Sequence, residues 1–268
     1  MDHVCSLTML QIRIGVDLAS LHQPFKQALL TARTLGAQAV EIDAQQQLRP
    51  EELTQTGVRH VRKMLEDLDL RVCAVAFATR RGYHVSEGLE ARLEATQRVL
   101  RLAYDLGTHV VSTRVGQLPS PEDASSWELL CEVLEDLGRY GQKVGALLAL
   151  QTGPPSGEQL RKLLDRLPEG SLGVDFHPGR LILHGQEPRK TLEKVADHVW
   201  HVHAVDATRD PARHQACEVP LGQGIAEFPE LLAILEEHRY LGYITVSREQ
   251  SDAPLADLQQ AIQFLRNL

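Results

Sequence analysis

Short apolar runs alternate with longer stretches whose hydrophobic positions recur every three to four residues, almost from one end of the chain to the other. The short runs are dense in Val, Ile, Leu and Ala, as in strands buried on both faces, whereas the longer period is that of amphipathic helices. Strands are predicted at 13–18, 39–43, 71–77, 109–113, 146–150, 172–176, 199–205 and 243–248. Helices are predicted at 24–36, 57–67, 89–107, 120–140, 157–167, 187–197, 228–237 and 253–268, with Gly36 as a C-cap and Ser120-Pro121 as N-cap and first-turn proline. Strands separated by helices need crossovers and hence pair in parallel. Eight such units in a chain of this length predict a single-domain (β/α)8 TIM barrel over residues 1–268. A doubly wound open sheet is less favoured, because the first strand–helix junction lacks G-x-G-x-x-G. Residues 206–224 stand out as the one long irregular stretch, read as a functional loop.

Composition narrows the function. The 28 Lys and Arg against 36 Asp and Glu give a net charge of −8, which opposes a nucleic-acid surface. An aromatic content of 4% leaves little for base-stacking platforms. Cys5, Cys73, Cys131 and Cys217 form no C-x-x-C pair and are read as reduced packing residues. Residues 1–11 lack a basic start and a sustained apolar run, and no apolar segment reaches membrane-spanning length. A cytoplasmic protein without a membrane partner is expected.

Barrel enzymes place their chemistry at the C-terminal strand ends. Those ends carry Asp17, Glu41, Asp43, Arg114, Gln151, Asp175, His177, His201, His203, Asp206, Ser247 and Glu249. Alternation with period two puts Asp175 with His177, His201 with His203, and Ser247 with Glu249 on shared faces. A carboxylate and several imidazoles in one cup suit a divalent metal, although a lone strand histidine is more often a packed core or rim residue. Asp206 could instead orient the His203 imidazole, and Trp200 and Cys217 are read as packing residues.

The segments RIGVD at the start, LGAQAVEID around Glu41, ALLALQTG at 146–153, GVDFHPGR at 173–180, WHVHAVDATR at 200–209, VPLGQGIAEFPELL at 219–232 and GYITVSRE at 242–249 occur in order over nearly the whole chain. Together they resemble the xylose isomerase-like barrel superfamily, in its sugar phosphate isomerase/epimerase branch. The resemblance implies a metal centre of Glu, Asp, His and Glu, which falls on Gln151, Asp175, His203 and Ser247. It also implies proton transfer beside a sugar carbonyl through an enediolate, with Arg209 and His177 near positions that contact substrate; Glu41, at the end of the second strand, is taken as a further substrate-binding residue.

Two of the four implied ligands depart from the pattern. Gln151 keeps a carbonyl oxygen but has no charge and cannot act as a base. Ser247 is too short to stand where a glutamate would. The metal site is therefore expected to be weakened or altered, with Asp175, His203 and Gln151 as ligands for Mn, Mg or Zn. Glu249 could replace the missing base, and Asp175, His177 and His203 form an alternative three-ligand set. The expected activity is sugar (phosphate) isomerisation or epimerisation by enolisation, with Gln151 and Glu249 at the catalytic positions. The alternative is a metal-free binding or scaffold descendant. A DNA-repair endonuclease is opposed by the charge and the missing ligands. The expected partner is a small sugar or sugar phosphate, with a homo-oligomer left open.

Overall fold

The computed structural model describes residues 12–114, 116–120, 122–210 and 215–268. Barrel strands are β1 (Arg13–Asp17), β2 (Ala39–Asp43), β3 (Arg71–Ala76), β4 (Val110–Arg114), β5 (Leu147–Gln151), β6 (Gly173–Phe176), β7 (Val199–Ala204) and β10 (Tyr243–Val246). They close in the order β1-β10-β7-β6-β5-β4-β3-β2 with every neighbour parallel, a (β/α)8 TIM barrel in one domain.

The helices between them are α1 (Phe25–Thr34), α2 (Gln55–Asp67), α3 (Leu89–Asp105), α4 (Ala124–Val144), α5 (Gly157–Arg166), α6 (Pro178–Leu183), α7 (Pro188–Val195), α8 (Phe228–Glu237) and α9 (Pro254–Arg266). Leucines recurring along α4, α5 and α8 (Leu130, Leu134 and Leu137; Leu160, Leu163 and Leu164; Leu231, Leu232 and Leu235) are buried in one core with Val16, Val40, Ile42, Leu148, Leu150 and Phe176 of the strands. This double burial explains why the strands read as apolar runs. None of the described helices is long and apolar enough to cross a membrane.

Three expectations change. The stretch after β7 is a β-hairpin, β8 (Asp206–Asp210) antiparallel to β9 (Gln215–Val219), rather than irregular chain. Helix α4 is capped by Asp123, whose side chain accepts from the Ser126 N–H at 3.2 Å, so it begins later than Ser120. Cys217 is exposed, since it sits on the hairpin instead of under a helix. Cys5, Pro121 and the features read from residues 1–11 lie outside the described residues.

Two register shifts position the site. One falls between Val40 and Glu41 where β2 meets β3, the other between Val174 and Asp175 where β6 meets β7. In each case the extra residue lies on the partner strand, Cys73 of β3 and Trp200 of β7, so the bulges sit opposite the two carboxylates Glu41 and Asp175. Gly173 makes room of another kind: the Trp200 indole lies over it where a Cβ would overlap the ring.

Candidate active site

The C-terminal end of the barrel opens into a cavity of about 270 Å3, lined at depth by Asp17, Glu41, Ser112, Gln151, His177 and His203 and at the mouth by Arg114, Ser247, Arg248 and Glu249. Asp175 and His201 lie beneath, 0% and 1% exposed. Asp175 is the hub. Its Oδ1 pairs with His201 Nδ1 at 3.0 Å, and its Oδ2 with His203 Nε2 at 3.1 Å. The same Oδ2 accepts from Gln151 Nε2 at 3.1 Å and from the Ser112 hydroxyl.

A second layer holds this hub in place. His201 Nε2 lies 2.8 Å from Thr245 Oγ1, which meets Cys73 Sγ at 3.3 Å. Gly15 is required beside them, because a Cβ there would stand 2.7 Å from Thr245 Oγ1.

The electrostatics follow from burial working against pairing. Burial alone would raise the Asp175 carboxyl, yet the His203 and His201 imidazoles hold it well below the usual carboxylate range. Burial would likewise lower both imidazoles, but Asp175 keeps His201 well above its ordinary value, and Asp175 with Glu41 raises His203. His177 goes the other way. Burial, then His203 and Arg180, hold it well below its ordinary value, so it is neutral near pH 7. Its Nδ1 accepts the Arg180 backbone N–H at 3.1 Å, which caps α6 and leaves the ring proton on Nε2. The His177 ring stacks on His203 with centroids 4.8 Å apart.

Glu41 differs from every other acid in the cup. It is 2% exposed, and neither carboxylate oxygen has a hydrogen-bond partner. His203 Nε2 stands 3.4 Å from its Oε2, within ion-pair range only. Burial pushes its pKa up to about 7, against the pull of His203 and His201.

Gln151, Asp175, His203 and Ser247 do meet in the cup. Ser247 Oγ lies 3.2 Å from His203 Nδ1, so it orients the imidazole and leaves Nε2 facing the two carboxylates. Asp206, the alternative candidate for that orientation, turns away: its carboxylate accepts from the N–H groups of Ala207, Gly222, Gly224 and Ala226 at 2.9–3.1 Å. Arg209 does not line the cavity either. It projects from β8 against Gly185, where a Cβ would stand 2.7 Å from its Nη1. Glu249 lies at the mouth in ion pairs with Arg114 and Arg180, two residues the strand-end census did not connect. The available signal for Arg180 was its position three residues beyond His177, in the first turn of α6.

Glu41, His201 and His203 offer donor atoms within 4.8 Å of one another, and this buried group could hold a metal ion. Both His201 nitrogens already have partners, which makes His201 a support for Asp175. The partnerless Glu41 oxygens lie beside His203 Nε2, which also meets Asp175, a mixed oxygen and imidazole donor set that fits a divalent cation, whereas Gln151 turns its Nε2, not its carbonyl oxygen, towards Asp175 and His203.

Comparison with known proteins agrees with this architecture. An inosose dehydratase of Bacillus thuringiensis (strain Al Hakam) is 25% identical, over 77% of this chain and 79% of its own length. A xylose isomerase domain protein from Planctomyces limnophilus superposes with a TM-score of 0.84 at 23% identity, covering 96% of this chain and 95% of that one. The IOLI protein with a bound zinc atom superposes with a TM-score of 0.79 at 16% identity, covering 96% of each chain. The sequence profile for the xylose isomerase-like TIM barrel matches residues 29–268, nearly the whole barrel, and the chain belongs to that family.

Proposed function

We propose that the protein is a lyase that dehydrates a small polyhydroxylated ketone, taking a proton from the carbon beside the carbonyl and expelling a hydroxyl group. The observation that carries this reading is Glu41, a buried carboxylate on the cavity wall with two partnerless oxygens and a pKa of about 7. A general base works best when its pKa lies near the operating pH. His177 is neutral, so its Nε2–H can hydrogen-bond the departing hydroxyl, while the proton that turns that hydroxyl into water is the one Glu41 took from carbon. Asp175 and the imidazoles beneath hold His203 in position.

An elimination can run on one base that returns its proton to the leaving hydroxyl, whereas isomerisation by two facing carboxylates needs residues that Gln151 and Ser247 do not supply. A lyase also accords with the inosose dehydratase relatives. A divalent ion, held by Asp175, His203 and Glu41, with Gln151 joining only once its amide turns Oε1 inward, would supply Lewis-acid polarisation of the carbonyl. Zinc in the IOLI protein supports such a site, with Mn and Mg as the other candidates. Glu41 contributes the proton transfer that Gln151 and Glu249 were expected to provide.

The test is proton exchange in D2O, followed by NMR on inososes and ketoses with added Mn2+, Mg2+ or Zn2+. Deuterium entering beside the carbonyl together with an unsaturated product supports dehydration. Deuterium without loss of water returns the reading to isomerisation or epimerisation. No exchange with any substrate rejects both enzymatic readings in favour of a binding protein, which the Gln151–Asp175 hydrogen bond favours by satisfying a ligand position internally.

A further inference from the structure

Three charged side chains that this chemistry leaves aside meet at the mouth. Arg114, at the end of β4, and Arg180, in α6, both donate from Nη2 to the same atom, Glu249 Oε1, at 2.7 and 2.5 Å. Two guanidinium groups around one carboxylate leave a surplus positive charge beside a cup whose floor is acidic. Two cations drawn this close repel one another, and the Arg114 guanidinium is held below its ordinary value by burial and by Arg180. Such an arrangement is favourable when further negative charge enters it, because each guanidinium presents a planar fork that matches carboxylate or phosphate oxygens.

The two arginines and the glutamate are fixed to different degrees. The Arg180 side chain is 17% exposed, and its Nε is buried without a partner. The Glu249 side chain is 45% exposed. Its backbone N–H is anchored to Glu218 Oε2 at 3.1 Å, so its carboxylate can turn to solvent while the chain stays in place. Arg180 is therefore the built-in member of the cluster, while Arg114, 50% exposed, and Glu249 are free to re-pair around an incoming anion.

We propose that Arg114 and Arg180 form a receptor for an oxyanion, a carboxylate or phosphate at the end of the substrate remote from its carbonyl, and that Glu249 is the resident occupant this group displaces. The proposal rests on the reading that the cup takes a polyhydroxylated ligand, and it names the class: sugar acids or sugar phosphates rather than neutral polyols. Glu249 then acts as a filter, since a neutral ligand cannot compete for the two guanidinium groups.

Calorimetric titration with glucitol, gluconate and glucitol 6-phosphate tests it by binding alone, so an absence of turnover does not affect the readout. At least one anion is expected to bind ten-fold or more tightly than glucitol, and which one does so separates carboxylate from phosphate. Arg180→Gln and Arg114→Gln should each shrink that advantage at least five-fold while leaving glucitol binding within two-fold, which also reports that the cup is folded. Glu249→Gln should tighten the anion severalfold. Equal affinity for all three ligands, no binding of either anion, an advantage that survives both arginine substitutions, or weaker anion binding in Glu249→Gln would overturn it.

Discussion

The floor and the rim of the cup carry the same kinds of charge and use them differently. On the floor, Asp175, His201 and His203 are almost wholly buried and paired with one another, and Glu41 beside them is as buried without a hydrogen bond. At the rim, Arg114 and Glu249 pair with side chains about half exposed. Buried pairs are felt strongly because breaking one strands a charge in a low dielectric, whereas solvent screens exposed pairs. The contrast assigns fixed charge, and hence chemistry, to the floor, and exchangeable charge, and hence recognition, to the rim.

The strongest way to break this contrast is Glu41→Gln. It should lower turnover by about 10³-fold, the usual scale for losing a general base. At pH 8 the same change should raise stability by up to about 3 kcal/mol, at about 1.4 kcal/mol per pKa unit, because the carboxyl raised from 4.5 to about 7 no longer has to ionise while buried. Steady-state rates and urea midpoints measure the two effects, and a loss of activity with a loss of stability would remove Glu41 from the role of base.

Asp175→Ala should cost about 3 kcal/mol, because it strands two imidazoles in the interior. Denaturant titration at pH 6 reads this directly.

A pH series sharpens the same point. Asp175 lies well below its ordinary 3.8, so its contribution is present above that value and is lost as the pH falls through the folded pKa. His201 lies well above its ordinary 6.5, so its contribution is full below 6.5 and is lost as the pH rises through the folded pKa. Glu41 adds a decline from 4.5 to about 7, because the folded chain holds that proton longer than the unfolded one. His177, held well below its ordinary 6.5, works the other way, its contribution growing as the pH rises to 6.5, so the Glu41 effect is read as a difference: between pH 4.5 and 8 Glu41→Gln should gain stability relative to the wild type.

The rim should respond least. Arg114→Gln should change stability by less than about 1 kcal/mol, a melting shift within about 4 °C. A larger shift would mean that the rim is structural and erase the contrast.

The barrel was legible because both-face burial writes its strands as apolar runs that end in polar residues, as in AVEID and GVDFH. Period-two alternation and position at strand ends likewise pointed to Glu41, Gln151, Asp175, His177 and His203, all of which reach the cup or its floor. Three features were not legible. The rim cluster joins residues 69 and 135 positions apart, and no local pattern records such a meeting. The hairpin strands are short, and DATRD reads as polar chain until its pairing with QACEV is seen. The isolation of Glu41 is a property of its surroundings: the same residue type with an arginine beside it would be an ordinary ion pair. Arg209 matched a motif by spacing, but the hairpin carries it away from the cavity towards Gly185.

Asp206, with four backbone N–H groups on one carboxylate, has a consequence for motion. It ties the start of the hairpin to the entry of α8, while Glu218 on β9 reaches the Glu249 and Gln250 N–H groups and Arg248 beyond β10. Segments separated by tens of residues thus share two carboxylates as fasteners and should open as one cooperative unit. In hydrogen exchange, the amides of Gly222, Gly224 and Ala226 should lose protection together with those of Glu249 and Gln250. The wall of the cup that bears Glu249 would then breathe on the clock of a hairpin that contributes no residue to the floor.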